Sequence, residues 1–513
     1  MPPISPRSQP KKIAVVGSGC AGLAAVWALK KTHHDVFLYE SADRLGGHTN
    51  TVDWKAGKYT TTVDTGFIVL NAATYPNFIN FLRSVNVPID ATDMTFSVSR
   101  DRGFFEWAGT NIDSIFCQRR NIISPRFWRM VFDIIRFNQF ALDLLIEDHE
   151  RSTPSDEPLM NGYHPLNATI GEYLEREGYS DAFRDDYLIP MTAAVWSTSP
   201  DKCSLEFPAI TLVRFLWNHH LLSTISSRPQ WLTLRRCGQS YIDAIMQGFP
   251  PSRVSLNATV ESLTNEPDGK VRLKLSSGDS PVYDHVILAT HGDQAWSIIQ
   301  NSATKEEKSI MSVFKTSLNK AVLHSDLSLL PQSQKAWSCW NYITKSSPTG
   351  KANIDTVCLT YNMNLLQHIP RETFGDVLVT LNPLHKPNPS KTQGEYLYTH
   401  PLYTPEAVRA QERLHKIQER RGISYVGAWT KYGFHEDGFS SGLAAAERLG
   451  ARLPFEFKDS TFSRGRRPKI GLRDWILRLF IILIQLFVVQ PIERAFGSKK
   501  SRQQSHAPKR KNA

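Results

Sequence analysis

The residues best placed to do chemistry are six near the N-terminus, Gly17-Ser18-Gly19-Cys20-Ala21-Gly22. They close a short β-branched run, Ile13 to Val16, and open an Ala- and Leu-rich helical pattern, Ala21 to Lys30. At such a strand-to-helix turn Gly17 permits the tight bend, Gly19 lets a pyrophosphate approach the backbone, and Gly22 lets helix and strand pack closely. Free N–H groups around Ser18, Cys20 and Ala21, with the positive end of the helix dipole, then face the phosphates. Glu40 ends the next strand, Val36 to Tyr39, where its carboxylate is set to accept hydrogen bonds from ribose hydroxyls. The chemistry implied is dinucleotide binding.

These residues need a parallel βαβ unit to hold them, and strand, turn, helix and strand do follow within about thirty residues. Beyond Met94 the texture changes. A long aromatic helix is expected from about Pro125 to Glu150, another helix over Ile170 to Glu177, and an apolar segment over Tyr187 to Trp196. Strand-like runs return at Val254 to Val260, Val271 to Leu275 and Val286 to Ala289. A second sheet is expected from Ala321 to His324, Val357 to Tyr361 and Val377 to Leu381.

Glu40-Ser41-Ala42-Asp43-Arg44-Leu45-Gly46-Gly47 resembles the E-x-x-x-R-x-G-G extension of the flavin-containing amine oxidase superfamily. That resemblance implies FAD as cofactor, with Arg44, Gly46, Gly47 and the adjoining His48 beside its phosphates. Asp64-Thr65-Gly66-Phe67 is similar to the superfamily's turn against the flavin ring, which implies contacts from Gly66 and Phe67. Val260 and Ala289, the latter in Val286-Ile287-Leu288-Ala289-Thr290, fall where the superfamily passes the nucleotide. Gly427, in Tyr425-Val426-Gly427-Ala428-Trp429, and Asp437, Gly438 and Phe439 at the head of the following helical pattern, look like the closing strand and helix. A helix starting there would aim N–H groups at the flavin edge that gains negative charge on reduction.

The resemblance spans roughly residues 12 to 450. Tyr187 to Ser197, Cys237-Gly238-Gln239-Ser240-Tyr241 and Ala321 to Asp326 look closest to a branch similar to the flavoprotein domain of plant cyclopropane fatty acid synthases. It implies Lys320 near the superfamily's active-site lysine, and His435, just before the flavin-facing helix, as a second catalytic residue. His324, Trp337, Trp340 and Tyr342 are further substrate-side residues to test. No Cys precedes the closing helix where monoamine oxidases attach FAD, so a non-covalent flavin is expected. His48 stands where the superfamily's pattern continues with Arg, which weakens any transfer of amine specificity.

Composition sets the outer bounds. The chain has 513 residues, 41% hydrophobic and 11% aromatic, enough for more than one core. Six cysteines, Cys20, Cys117, Cys203, Cys237, Cys339 and Cys358, lack CxxC or ligand-like spacing, so neither metal nor disulfides are expected. The N-terminus has no apolar signal core, and the Asn-x-Thr triplets at Asn167 and Asn257 read as chance. Lys and Arg outnumber Asp and Glu by 60 to 49, a net charge of +11 gathered toward the ends. Arg464, Arg466, Arg467 and Lys469, then Lys499 to Lys511, flank an apolar run from Trp475 to Val489. Basic residues bracketing greasy ones suit a membrane rather than nucleic acid. The run falls short of the ~20 residues of a comfortable span. On a helix Asp474, Arg478 and Gln485 share one face, which fits a surface helix or a tilted span with its polar side covered.

The fold expected is α/β: a GxGxxG Rossmann-like FAD-binding domain interleaved with a substrate domain of mixed sheet and helices, plus a C-terminal hydrophobic helix. The leader is residues 1–10. FAD-domain segments are 11–95, 235–295 and 415–452, substrate-domain segments 96–234 and 296–414. The basic tail, 453–513, carries the helix at 472–490. The expected activity is hydride transfer from an apolar substrate, an acyl chain or isoprenoid, to FAD, on a membrane-held protein facing the cytosol. The rivals are an oxidase of amines or secondary metabolites, and a non-catalytic FAD-binding partner of a lipid-modifying methyltransferase.

Overall fold

The computed structural model describes residues 9–152, 168–196, 205–222, 229–346 and 358–495. Most of the expected leader, Asn167, Cys203 and the basic residues from Lys499 onward lie outside them.

The strand Lys12–Val16, paired in parallel with Asp35–Tyr39 and His285–Leu288, is buried from Ile13 onward because Ile13 and Val15 enter one core and Ala14 and Val16 the other. A strand covered on both faces reads as a continuous apolar run rather than an alternating one. Val254–Ser255 and Ile423–Tyr425 complete a five-stranded parallel sheet, ordered 254–255, 35–39, 12–16, 285–288, 423–425. Its strands come from segments up to the far end of the chain, so other structure is inserted between them. That structure is built on a seven-stranded mixed sheet running Thr392–Pro401, Thr316–His324, Leu378–Leu381, Cys358–Asn362, Trp340–Thr344, Phe96–Arg100, Phe105–Ala108. Its pairs are antiparallel except Trp340–Thr344 with Phe96–Arg100.

Two sequence expectations change. The run Val254 to Val260 is not one strand: Val260–Asn265 opens a separate antiparallel sheet with Val271–Leu275 and Val282–Tyr283. Between the two pieces Asn257 takes φ 52° and the amides of Asn257 and Ala258 bond to Ala42 and Glu40, which turns the chain out of the parallel sheet. The long aromatic helix divides into Pro125–Phe140 and Asp143–Ser152. Leu144 N and Leu145 N reach back three residues, to Ala141 and Leu142, tightening the backbone where the two helices meet.

The helix Cys20–Leu29 is buried at every residue after Cys20. It lies between the parallel sheet and the closing helix His435–Arg448, and both contacts are backbone against backbone. A Cβ on Gly22 would sit 1.9 Å from the Gly17 carbonyl oxygen, and one on Gly442 would sit 2.0 Å from that of Ala21. Glu436, at the head of the closing helix, accepts from the amides of Asn77 (3.0 Å) and Phe78 (2.9 Å), capping the helix Pro76–Ser84 and pinning it alongside.

Near the C-terminus a helix of 24 residues, Leu472–Ala495, has mean hydropathy 2.1 over its most apolar window, long and apolar enough to cross a membrane. It continues past residue 490, where the sequence pattern ends it. Just 17% of that window is buried, unlike a core helix.

The helix contact sets up a stability test on flavin-free protein. Gly442→Ala forces the two helices apart and should lower the thermal midpoint, as overpacking typically costs about 1–3 kcal/mol. Gly19→Ala, where a Cβ would meet nothing within 4 Å, is the matched control and should leave the midpoint unchanged. Equal midpoints for the two variants would contradict the packing described.

Candidate functional site

A cleft of about 470 Å³ opens at the carboxyl ends of the parallel strands, where ligands bind in open α/β sheets. The Gly-rich turn enters it as the residue types require. Gly17 has φ +99°, and its Cβ would strike the Ala289 carbonyl at 2.8 Å, whereas the space beside Gly19 is open. Gly17 to Ala21, Glu40, Arg44, Gly46, Gly47, His48, Gly66, Phe67, Ala289, Gly427 and His435 line the cleft. Glu40 also does something its spacing did not announce: its carboxylate accepts from Ser18 N (2.8 Å) and Ser18 Oγ (2.6 Å), locking the turn from the neighbouring strand. Arg44 braces its own loop, donating to the carbonyls of Gly47 (2.8 Å) and Thr49 (3.1 Å).

Two motifs far apart in sequence meet here. Asp64 accepts from Gly238 N (3.0 Å), Thr51 Oγ1 (2.5 Å) and Gln367 Nε2 (2.7 Å), which ties Cys237-Gly238-Gln239-Ser240-Tyr241 to the turn carrying Gly66 and Phe67. Burial pushes the Asp64 carboxyl up to about 6. Gly66 then lies against the His48 carbonyl, with no room for a Cβ. Beyond it Phe67 stacks on His435 at 3.8 Å between ring centroids. Burial takes the His435 imidazole down to about 3, so it is neutral at physiological pH.

Six of the expected site residues stand elsewhere. Gly22 is spent on helix–strand packing. Val260 is buried in the core below the small antiparallel sheet, and Phe439 packs among Phe78 and Phe81. Gly438 lies on the Cys20 sulfur, and Asp437 accepts from Phe434 N (3.0 Å) as the cap of its own helix. Lys320 does not face the cleft. It is absent from the cleft lining although its cross-strand neighbour Leu397 belongs to it, and its ammonium is spent on Glu395 at 2.6 Å, less than half exposed. Of the other residues singled out, Trp340 lines the cleft. His324, bonded to Thr380 (2.7 Å), and Tyr342 are core, and Trp337 donates to Pro331 O.

Of the five histidines that line the cleft, three form a cluster in which two members carried no motif. The His48 ring lies 5.4 Å from His291, 5.2 Å from His400 and 5.2 Å from Tyr398. His291 Nδ1 pairs with Thr399 Oγ1 (2.8 Å), and Asn319 donates to His400 Nδ1 (2.8 Å). Burial first, then the neighbouring histidines, hold His48 well below the ordinary imidazole range and His400 down to about 4. His291 is lowered by burial. All three are neutral at pH 7.

The remaining wall is apolar, with Met94, Val195, Leu221, Trp231, Tyr361 and Leu381 supplied by the inserted elements. Four buried polar atoms in the cleft wall, His48 Nε2, Trp340 Nε1, Tyr403 Oη and His435 Nε2, have no hydrogen-bond partner in the protein. Such atoms are costly unless a bound group satisfies them. The phosphate-ready turn, the open space at Gly19 and these atoms together fit a dinucleotide with a polar ring system.

Comparison with known proteins agrees. The chain is 25% identical to the 15-cis-phytoene desaturase of Narcissus pseudonarcissus over 312 residues, 56% of this chain and 49% of that one. A stretch of 44 residues, 9% of this chain and 8% of that one, is 46% identical to the L-amino acid oxidase of Cerastes cerastes. The chain thus spans about half the length of the desaturase, or less than a tenth of the oxidase. Among solved structures, cyclohexylamine oxidase from Brevibacterium oxydans superposes with a TM-score of 0.59, and a CLA-producing fatty acid isomerase from P. acnes with 0.57. Each is 14% identical and covers 86% of this chain and 99% of its own. The model of the flavin-containing amine oxidoreductases matches residues 20–450, so this chain belongs to that family.

Proposed function

We propose that the chain removes a hydride from a carbon of an apolar substrate, a lipid acyl chain or isoprenoid, with non-covalently held FAD as acceptor. The tail helix keeps it at a membrane with the catalytic part facing the cytosol. The observation that carries this reading is the charge content of the cleft. Among the described lining residues the charged side chains are Glu40 and Arg44, both at the Gly-rich end. A cationic amine or an amino acid entering the apolar half would lose its hydration with no counter-charge to meet it, a heavy cost, whereas a hydrocarbon gains by leaving water. The phytoene desaturase and the fatty acid isomerase are named for apolar substrates, which favours the same reading.

FAD, when bound, supplies the two-electron acceptor. The chain's own residues then have three tasks. Glu40 and the turn from Gly17 to Ala21 hold the nucleotide, and Arg44 keeps the adjoining loop in shape. Apolar walls from Met94 to Leu381 exclude water around the reacting carbon. His48, neutral and with Nε2 unpaired in the cleft, accepts the proton that leaves as the hydride does, supported by His291 and His400. Attachment of flavin through Cys20 is opposed by its burial, which pushes the thiol up to about 12 and keeps it unreactive.

Gly19→Val should give a folded protein with its flavin lost, because the new side chain fills the pyrophosphate's space while its Cβ meets no protein atom within 4 Å; full flavin occupancy would contradict the assignment of the turn.

Anaerobic mixing with fractionated membrane lipids should bleach the flavin while amines leave it oxidised. Bleaching by amines alone would favour an amine oxidase, and no bleaching by any fraction a non-catalytic partner of a methyltransferase. With the reducing substrate in hand, the rate should be flat near neutral pH and fall as acid protonates the cluster, since its bases work neutral and His400 titrates at about 4. His48→Phe should slow reduction by about 100-fold or more at unchanged flavin content. An unaltered rate would place the proton acceptor elsewhere.

A further inference from the structure

The tail helix is not free to lie in any direction. Its polar edge is used up against the helix Pro125–Phe140 and its successor. Arg478, 6% exposed, pairs with Asp143 at 2.8 Å and donates to the Gln139 carbonyl, and Ile481 is buried beside it. One helix turn after another, the contact continues to the other end, where Arg129 meets Gln485 (3.5 Å) and Glu493 (3.3 Å). The remaining faces, among them Trp475, Leu479, Phe480 and Phe487, are exposed.

That docking brings the far end of the tail beside a second apolar surface. Ten large apolar side chains are exposed among the described residues outside the tail, and five of them, Phe104, Ile112, Ile122, Ile123 and Trp128, fall within one stretch. Contacts across that stretch tie its parts together. The Arg120 guanidinium covers Phe104 at 5.0 Å, the Trp128 indole donates to the Ile122 carbonyl (2.8 Å), and Arg119 pairs with Asp113 beside Ile112. Ile123, at 84% exposed, projects from the short helix Arg119–Ile123 immediately before Pro125. Arg102, Arg119, Arg120 and Arg126 stand exposed around these residues. An apolar patch with a cationic rim, edged by an indole, has the composition of a surface that sits in the headgroup region of an anionic bilayer.

We infer that Phe104, Ile112, Ile122, Ile123 and Trp128 form a second bilayer contact, which acts with the tail helix to fix the orientation of the folded body on the membrane. This inference rests on the membrane reading of the tail. The occupant is lipid rather than protein because the patch adjoins a helix whose exposed side chains from Trp475 to Val488 are all apolar, and the guanidinium rim complements anionic headgroups. A tail acting alone would leave the body to pivot about one anchor. With a second contact it is held at two points, joined rigidly through Arg129 and Arg478.

Hydrogen exchange of the full-length flavin-loaded protein tests this in vesicles of phosphatidylcholine with phosphatidylserine, against the same protein in a mild detergent. Amides of residues 119–128 and of the tail should both slow severalfold on vesicles. Ile123→Asp should abolish the slowing at 119–128 and leave the tail protected. Protection of the tail without 119–128 overturns the second contact while the tail reading stands. Protection of neither sinks both. Protection of 119–128 that arises without lipid and grows with protein concentration identifies a second copy of the chain as the occupant and overturns the proposal.

Discussion

Two carbonyl oxygens, those of Gly17 and Ala21, each lie against a position where any side chain would collide, Gly22 in one case and Gly442 in the other. These contacts draw the parallel sheet, the helix Cys20–Leu29 and the closing helix His435–Arg448 into a three-layer stack with no side chain between backbones at the crossing points. Their consequence is positional. The Gly-rich turn from near the N-terminus and the head of the closing helix, over four hundred residues later, come to the same cleft because the helices carrying them touch at those points.

The functional half of the cleft follows from that stack. With the two ends of the nucleotide-binding unit fixed, Glu436 pins the helix Pro76–Ser84 to the closing helix, and Asp64 pins the Gly66–Phe67 turn to Gly238. The inserted mixed sheet then brings Tyr398 and His400 opposite His48. Asn50 and Thr65 bond to the Tyr398 hydroxyl at 3.0 and 2.7 Å, joining the sheet edge to the nucleotide-binding unit. Buried polar groups of this density must be satisfied to be tolerated, and satisfied they hold a cleft wall in one arrangement. A cluster of neutral imidazoles on such a wall brings no fixed charge into the cleft.

How much of this could be read beforehand depended on how local the signal was. The turn at Gly17 to Gly22, the Arg44 to Gly47 extension and Glu40 are short-range patterns in which each residue type answers one backbone demand, and each of those features is found at the cleft or packed behind it. Lys320 lies opposite the cleft-lining Leu397, but its ammonium is taken by Glu395, a pairing between strands that a resemblance in sequence does not reveal. Val260 and Phe439 sit next to functional backbone but turn their side chains into the core. His291 and His400 had no readable signal as a pair, since they come from different elements and meet through the inserted sheet. The position of His291 just past a parallel strand's carboxyl end was the one available hint. Arg478 and Gln485 were legible as a shared polar face, but their partners on the Pro125–Phe140 helix were not.

The account turns on a flavin held in this cleft by shape and hydrogen bonds alone. Acid precipitation of the purified yellow protein, with the flavin in supernatant and pellet measured by absorbance and mass, tests it most directly. The account predicts FAD, about one per chain, released entirely to the supernatant. Flavin retained in the pellet, or a folded full-length protein that neither carries nor takes up FAD, would contradict it.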